Sequence, residues 1–476
     1  NQTRTFQHKL HPKKQLPILY FLHIMVCLQL FCADFINGYF RSSFVWISFK
    51  TCVILIILSN FFCCIPVAYF AIFGKTFGLR QLILSRFING YHCARMFLVF
   101  QLISCVGWVA GVNVPAAAHC LSMVNVDGNN IPKWAACIVI LVVSLIVSFL
   151  GVGVLQKFEL LSGVLNYICV FALIARIKLT GEFNLGKNIG DHKTVIGNSL
   201  SYLSVLVSFN IAWAAYGSDY TIYMSKNTSN WRISFGVFLG LFISLSFVTI
   251  VGAACACCIN GKISDVYDQY GFGGLLYAIL IPSATEEKFN NHLNVFLNIL
   301  LTWLSLSVIS INVPNFYSFS LCCQAIHRFF EKFERQWYTL IAFAISIAIS
   351  ITAVETSFET FMSDMMDGIG YYAVLYVSIT LSEIVVFRKF KLGYIQPENY
   401  DNTKYLATGI AGIVTFCLNI PLIAMGMNQS YWVGYLTRKS GGSNGGDVAM
   451  QITAVIAFLI YVPLRMIVNK CLPYPV

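Results

Sequence analysis

Charge is what this chain has least of. Asp, Glu, Lys and Arg together make up 11% of its 476 residues, while apolar residues make up 58%. Soluble globular domains are nearer one quarter charged, so the composition argues against a soluble enzyme or binding module. Long polar stretches are also missing, which leaves no room for a soluble domain between the apolar runs. Two catalytic signatures are absent: there is no His-Glu-x-x-His and no phosphate-binding loop. The expectation is a protein that is not an enzyme. The 17 cysteines form no disulfide framework, since most sit within apolar runs, as at Cys63-Cys64, Cys255, Cys257-Cys258 and Cys322-Cys323. No His or second Cys pair stands near them at zinc spacing. They read as small fillers between helices, and neither a metal nor a cofactor is expected.

What fills the sequence instead is apolar runs of roughly 20 residues, the length that crosses a hydrocarbon core. They cover 17–38, 51–73, 96–123, 134–155, 159–177, 197–224, 231–259, 293–326, 337–355, 368–387, 405–427 and 448–469. The reading is an all-α membrane protein of about 12 transmembrane helices. Residues 17–469 form one transmembrane domain between a cytoplasmic N-terminal tail, 1–16, and a C-terminal tail, 470–476. The chain begins at Asn1 rather than Met, so the N-terminal tail is expected to be incomplete. The net charge of +11 does not point to nucleic acid. Lys and Arg collect on alternate loops, the bias that marks cytoplasmic loops, and this places both termini inside. Lys178, Lys187 and Lys193 run against that bias. Two loops on the outside are acidic, one with Asp265, Asp268, Glu286 and Glu287, the other with Glu355, Glu359, Asp364 and Asp367. Among the Asn-x-Ser/Thr sequons, Asn428 is the one this topology leaves outside.

Polar groups at membrane depth carry the functional signal. The eighth run contains Ser310-Ile311-Asn312-Val313-Pro314-Asn315. Pro314 lacks an N–H, so in a helix the carbonyl of Ser310 loses its usual partner. Asn312 and Asn315 are three residues apart and share a helix face. Two amides and a freed carbonyl in hydrocarbon mark a path for a small polar solute rather than a lipid-facing surface. Transporters often contain inverted repeats whose first helices are broken at the midplane. A five-plus-five arrangement makes the first and sixth runs the broken ones. The sixth reads Trp213-Ala214-Ala215-Tyr216-Gly217-Ser218-Asp219, where Gly217 permits unwinding and Ser218 and Asp219 compete for backbone bonds. The first has Cys32-Ala33-Asp34 before Asn37-Gly38. On this division the repeats cover about 17–177 and 197–387, with 405–427 and 448–469 as two extra helices. Between the second and third runs, Gly78 to Phe87 is basic and amphipathic. It reads as a short cytoplasmic helix at the headgroups, with Arg80 and Arg86 toward lipid phosphate or helix ends.

The chain resembles the purine–cytosine permease branch of the nucleobase–cation symporter-1 family, found in fungal plasma membranes. The matching segments are Phe77 to Phe87, Cys105-Val106-Gly107-Trp108, Tyr216 to Met224 and Asn312 to Tyr317. To these are added Gly370-Tyr371-Tyr372 through Arg388, and Tyr431-Trp432-Val433-Gly434. The resemblance implies a leucine-transporter-type fold, a lipid-embedded permease, proton symport with the proton as coupling ion, and substrates such as cytosine, adenine and hypoxanthine. Three positions depart from the family pattern. Ile311 stands where the family has Asn, Cys32-Ala33-Asp34 stands for Ser-Ala-Asn, and Asn113 follows Trp108 by five residues instead of four. One extra residue turns a side chain by about 100° on an α-helix, so a local bulge is needed to restore the register.

A planar heterocycle needs stacking faces and an in-plane hydrogen-bond frame. Trp108 and Trp213 are the stacking candidates, and Asn113, Asn312 and Asn315 the amide frame. For proton coupling or gating the candidates are Asp34, Asp219 and Glu383. Asp219 has a competing role as cap of the helix that follows the break, and Glu383 as an ion pair with Arg388 five residues on. Gly217 and Pro314 are the expected helix breaks. Two alternatives stay open: a permease for another small heterocycle such as pyridoxine, which Ile311 favours, and a non-transporting nutrient receptor or degenerate paralogue.

Overall fold

Helix is the answer this chain gives to the absence of water in a bilayer, because helices satisfy their backbone groups internally. The computed structural model describes residues 47–124, 131–150, 152–281, 291–356, 358–442 and 445–471. The first expected span, with Asp34, lies outside the described residues. α1 (Phe49–Phe77) starts where the Ser48 hydroxyl accepts from Thr51 N–H and stops at Gly78, whose φ of 69° is the left-handed conformation a helix end favours. A short α2 (Gln81–Ile88) follows. α3 (Tyr91–Leu121), α4 (Lys133–Leu150) and α5 (Val152–Thr180) complete the first half. α6 (His192–Ala212) starts at Asp191, which accepts from Thr194 N–H at 3.1 Å. After it come α7 (Asn230–Ala256), α8 (Gly261–Leu280), α9 (Asn291–Leu306), α10 (Ile309–Ile326), α11 (Arg335–Glu355) and α12 (Phe358–Ser382). α13 (Ile410–Gly426), a two-residue hairpin pairing Asn428 with Val433, α14 (Tyr435–Ser440) and α15 (Ala449–Cys471) close the chain. Ten helical segments among the described residues are long and apolar enough to cross a membrane, and α13 is a shorter apolar one.

Two interruptions shape the interior. α6 ends at Ala212, and the chain continues as tight 3-10 turns at Trp213–Tyr216 and Thr221–Tyr223. Side-chain hydroxyls tie the unwound segment to its neighbours: that of Thr221 donates to the Ala71 carbonyl of α1 at 2.6 Å, and that of Ser218 to the Leu79 carbonyl at 3.1 Å. The second interruption is the turn at Ser307 and Val308, between α9 and α10. In α3, residues Gly107–Asn113 form a π-helical stretch.

Several expectations change here. Gly217 lies within the interruption of α6 but keeps ordinary right-handed angles. Its lack of a side chain serves close approach, since a Cβ there would stand 2.8 Å from Cβ of Phe70. Pro314 is no break: α10 runs through it, and the interruption falls several residues earlier. The 260–292 loop instead contains α8, kinked at Gly271, whose φ of 66° suits glycine. Asp364 and Asp367, read as loop, belong to α12, and Asp367 is buried. α2 is not a headgroup anchor. Arg80 pairs with Asp219 at 2.5 Å, and Arg86 is buried against Asp401 at 2.9 Å and the carbonyls of Tyr400 and Ala325. Asn428 turns its side-chain amide to Ser201 at 3.5 Å and its N–H to Asp447, a poor position for a glycan.

The fit of α1 against the α6 interruption is testable. A side chain at Gly74 would collide with Thr221 Oγ1 and the Ser218 carbonyl, whereas one at Gly368 meets open space. Overpacking costs about 1–3 kcal/mol. Gly74→Val is expected to lower the melting temperature of detergent-purified protein, and Gly368→Ala to leave it unchanged. Equal behaviour of the two would show that α1 and the interruption are loosely packed.

Candidate functional site

The break in α6 opens a cavity against α3 and α10. It encloses about 470 Å³ of non-atom space, its open mouth included. α3 contributes Trp108 and Asn113, α6 and its unwound end contribute Phe209, Ala212, Trp213, Tyr216 and Tyr220, and α10 contributes Ile311, Pro314 and Asn315. Phe209 stands edge-on to Trp108, centroids 5.2 Å apart, and Trp213 lies 5.8 Å from Tyr216. Rings therefore line two sides of the space, and amides lie between them.

The π-helical stretch explains how Asn113 joins Trp108. Its bonds run from i to i+5, so residues five apart come back to one face. The extra residue that an α-helix would turn away is absorbed, and both side chains reach the cavity.

A relay fixes how Asn113 presents itself. Ser144 of α4 donates its hydroxyl proton to the Ile140 carbonyl at 2.8 Å, so its oxygen is left to accept. Asn312 donates to that oxygen from Nδ2 at 3.4 Å, which sets its Oδ1 as an acceptor. Asn113 Nδ2 donates to this Oδ1 at 3.1 Å. Asn113 Oδ1 is then left buried, with no hydrogen-bond partner. An unpaired buried acceptor costs about 1–3 kcal/mol, and a ligand donor in the cavity would relieve it. Asn315 is held in a second relay. Cys105 contacts the Tyr216 hydroxyl at 3.3 Å, Tyr216 donates to Asn315 Oδ1 at 2.9 Å, and Asn315 Nδ2 donates to the Ile311 carbonyl at 3.0 Å. An amide nitrogen carries two hydrogens, so one N–H of Asn315 is uncommitted in these bonds.

The structure thus brings Trp108, Asn113, Trp213 and Asn315 together. Asn312 does not line the space; fully buried, it sits behind Asn113 and orients it. Two of the acidic candidates lie elsewhere and are already engaged. Asp219 pairs with Arg80 and accepts from Gln81 N–H at 2.8 Å, so it caps α2 rather than the segment after its own break. Glu383, in a π-helical turn after α12, is buried between Arg388 at 3.1 Å and Arg465 at 3.0 Å and accepts from Tyr461 at 2.9 Å. Phe209 and Tyr216 were missed in the sequence, although they stand four residues before and three after Trp213, the spacing of one helix face.

Comparison with known proteins follows this geometry. A family model described as permease for cytosine/purines, uracil, thiamine, allantoin matches residues 42–434. The purine-cytosine permease FCY2 of Saccharomyces cerevisiae is 37% identical over 88% of this chain and 77% of its own length. The purine-cytosine permease fcyB of Emericella nidulans is 31% identical over 91% of this chain and 82% of its own. Among solved structures, Mhp1, a nucleobase-cation-symport-1 family transporter in a closed conformation with bromovinylhydantoin bound, superposes with a TM-score of 0.70. It shares 13% identity and covers 97% of this chain and 94% of that one. That likeness supports the leucine-transporter-type fold.

The relay makes a thermodynamic prediction that needs no substrate. Asn312→Leu strands Asn113 Nδ2 and should destabilise the purified protein by about 1–3 kcal/mol. Adding Asn113→Leu removes the stranded group and should recover most of that loss. Strict additivity of the two substitutions in a thermal-melt double-mutant cycle would mean that the pair is uncoupled.

Proposed function

The chain belongs to the family of permeases for cytosine/purines, uracil, thiamine and allantoin, and within it we propose that this protein imports cytosine and purine bases by proton symport. It is a multi-pass membrane transporter and not an enzyme. The observation that carries the substrate reading is the unpaired Oδ1 of Asn113, fixed in orientation in a cavity that Trp108 and Trp213 also line. Together with the uncommitted N–H of Asn315 it offers an acceptor and a donor to one ligand. Cytosine and adenine present the complement, an exocyclic amino donor beside a ring-nitrogen acceptor. An Asn side chain reads adenine in the same bidentate way when bound to DNA. Trp108 and Trp213 supply faces for a flat ring, each offset stack contributing about 0.5–1.5 kcal/mol beyond area burial.

Symport of a proton fits a solute that is itself uncharged, because accumulation then needs a second, driven species. We place the protein in the plasma membrane with both termini cytoplasmic, a reading supported by the distribution of Lys and Arg. Radiolabelled cytosine, adenine and hypoxanthine uptake in cells lacking their own permeases tests the function. Uptake that is saturable, cross-inhibited among the three bases and abolished by a proton uncoupler is expected. Uptake indifferent to the uncoupler would rule out symport while leaving the substrate class intact.

Two substitutions test the frame. Asn113→Ala removes one hydrogen bond to the base and should weaken apparent affinity by about 2–13-fold, the equivalent of 0.5–1.5 kcal/mol, at unchanged surface expression. Ile311 lines the cavity, where an amide would add hydrogen-bonding groups that an aliphatic side chain lacks. Ile311→Asn should therefore tighten cytosine or adenine uptake by a similar factor. An unchanged apparent affinity would make the aliphatic side chain neutral to recognition.

A further inference from the structure

Away from the cavity, within the first half of α12 and just before α15, two aspartates are buried together. Asp367 is 4% exposed and Asp447 1%. A single amide nitrogen, Nε2 of Gln429, reaches Asp367 Oδ2 at 3.1 Å, Asp447 Oδ2 at 3.5 Å and the Tyr371 hydroxyl at 2.6 Å. Among the described residues neither aspartate is in an ion pair. The charge that Arg80, Arg388 and Arg465 neutralise at Asp219 and Glu383 has no counterpart here.

The donors are shared unequally. Asp447 accepts from four further groups: Tyr371 at 2.6 Å, Asn428 N–H at 2.8 Å, Ala449 N–H at 3.0 Å and Ser204 at 3.1 Å. Asp367 accepts from Gln429, and at 3.0 Å it shares the one hydroxyl proton of Ser208 with the Ser204 carbonyl at 2.8 Å. Two adjacent carboxyls in a dry setting do not both ionise readily, and the pair titrates as a unit. The carboxylate with more donors keeps the charge, which leaves the proton to Asp367. Burial pushes the Asp447 carboxyl above the usual carboxylate range, and its hydrogen bonds pull it back.

Gln429 supplies an independent sign that a donor belongs in this cluster. It is 3% exposed, and its Oε1 is buried without a partner. An amide is suited to both protonation states of an acid. In the orientation seen it donates to a carboxylate. Turned over, it presents Oε1 to the O–H of a carboxylic acid.

Two short routes join the cluster to the cavity. Ser208, which donates to Asp367, precedes Phe209, which lines the cavity against Trp108. Tyr371, which donates to Asp447, precedes Tyr372. Tyr372 donates to Gln101, and Gln101 to Cys105, the neighbour of Tyr216. The remaining groups around the pair are identifiable. α12 brings Asp364, bonded to Ser430, and the hairpin brings Tyr431. α6 faces the pair with Ser204 and Ser208, and α15 with Met450, whose sulfur lies 3.6 Å from Ser208 Oγ. Arg438 and Lys439 of α14 are exposed.

We propose that Asp367 and Asp447 are the proton-binding site of the transporter, one proton being held on Asp367 and exchanged with water on the side of the 428–433 hairpin. The proposal rests on the proton-symport reading. Protonation forms an O–H bond at Asp367 and leaves its charge neutral. The acid then donates to Gln429 Oε1, and the Ser208 hydroxyl turns fully to the Ser204 carbonyl within α6, so the tie from α6 to α12 is released. Deprotonation to water restores the bonds seen here.

Asp367→Asn mimics the protonated acid. In cells lacking their own permeases, radiolabelled cytosine and adenine uptake would be measured between acidic and neutral pH, with and without a proton uncoupler, alongside counterflow exchange and surface expression. The variant is expected to keep counterflow but to lose acid stimulation, uncoupler sensitivity and accumulation above equilibrium. Wild-type pH dependence and uncoupler sensitivity in the variant would overturn the proposal and leave proton symport standing. Wild-type uptake indifferent to both would instead remove the symport reading itself. If the Asn variant does not reach the surface, Asp367→Glu decides. Retained coupling with a shifted pH midpoint supports the site, and an unshifted midpoint overturns it.

Discussion

Backbone at membrane depth must find its partners within the protein, and the unwound end of α6 is where that requirement falls hardest. Leaving helical geometry at Trp213 frees carbonyls and N–H groups that lipid cannot satisfy. Tight turns within the segment answer part of it, as Asp219 N–H donates to the Tyr216 carbonyl and Thr221 N–H to that of Ser218. Side chains then tie it to α1 and α2: the Thr221 and Ser218 hydroxyls donate to the carbonyls of Ala71 and Leu79, and the Asp219 carboxylate caps the N-terminus of α2. Arg80 neutralises that carboxylate. The break, the end of α1 and the start of α2 are therefore one unit. α2 is fixed at its other end by Arg86, which holds Asp401 and the last carbonyls of α10. A cavity opened by the break is thus braced on the same side by a buried basic helix.

Polar order in the cavity depends on bonds made behind it. Neither Asn113 nor Asn315 is free to choose its orientation. Ser144 and Asn312 dictate the first, Tyr216 and the Ile311 carbonyl the second. A site that rejects wrong partners needs its acceptors and donors fixed before the ligand arrives. Asn312 is essential to that arrangement without touching the cavity.

How far the sequence revealed this follows from what hydropathy measures. It reports depth, so the helices from residue 49 onward, α8 excepted, and the interruption in the sixth run were legible. So were Trp108, Trp213 and Asn315, whose polar or aromatic groups stand out in apolar runs. Hydropathy does not report which face of a helix a residue occupies. Asn312 and Asn315 share a broad face, yet one lies behind Asn113 and the other lines the cavity. A π-helical stretch leaves no compositional mark, so the register of Asn113 showed as a departure and not as its resolution. Charge also misled. Asp265 and Asp268 disguised α8 as a loop, Asp364 and Asp367 hid the first turns of α12, and Arg80 and Arg86 suggested a lipid surface where the structure has buried ion pairs.

The acids of this chain divide by location. On the side of α2, Asp219, Glu383 and Asp401 are each held by arginine. At the other end of the same helices, Asp367 and Asp447 are held by hydroxyls, amides and backbone N–H groups. Asp367, well inside α12, and Glu383, just past its end, lie roughly 24 Å apart along one helical segment at 1.5 Å per residue. A carboxylate beside a guanidinium keeps its charge, and moving that charge means breaking an ion pair. A carboxylate held by neutral donors can be neutralised by one proton with its packing intact. The two ends are therefore unlike in what they can respond to. One end yields only to rearrangement of paired side chains; the other, as the proposed proton site, would yield to a change in proton activity. α6, α12 and α15 connect them, and the cavity lies between. A molecule built this way can let a proton at one end alter the helix whose broken segment is clamped at the other.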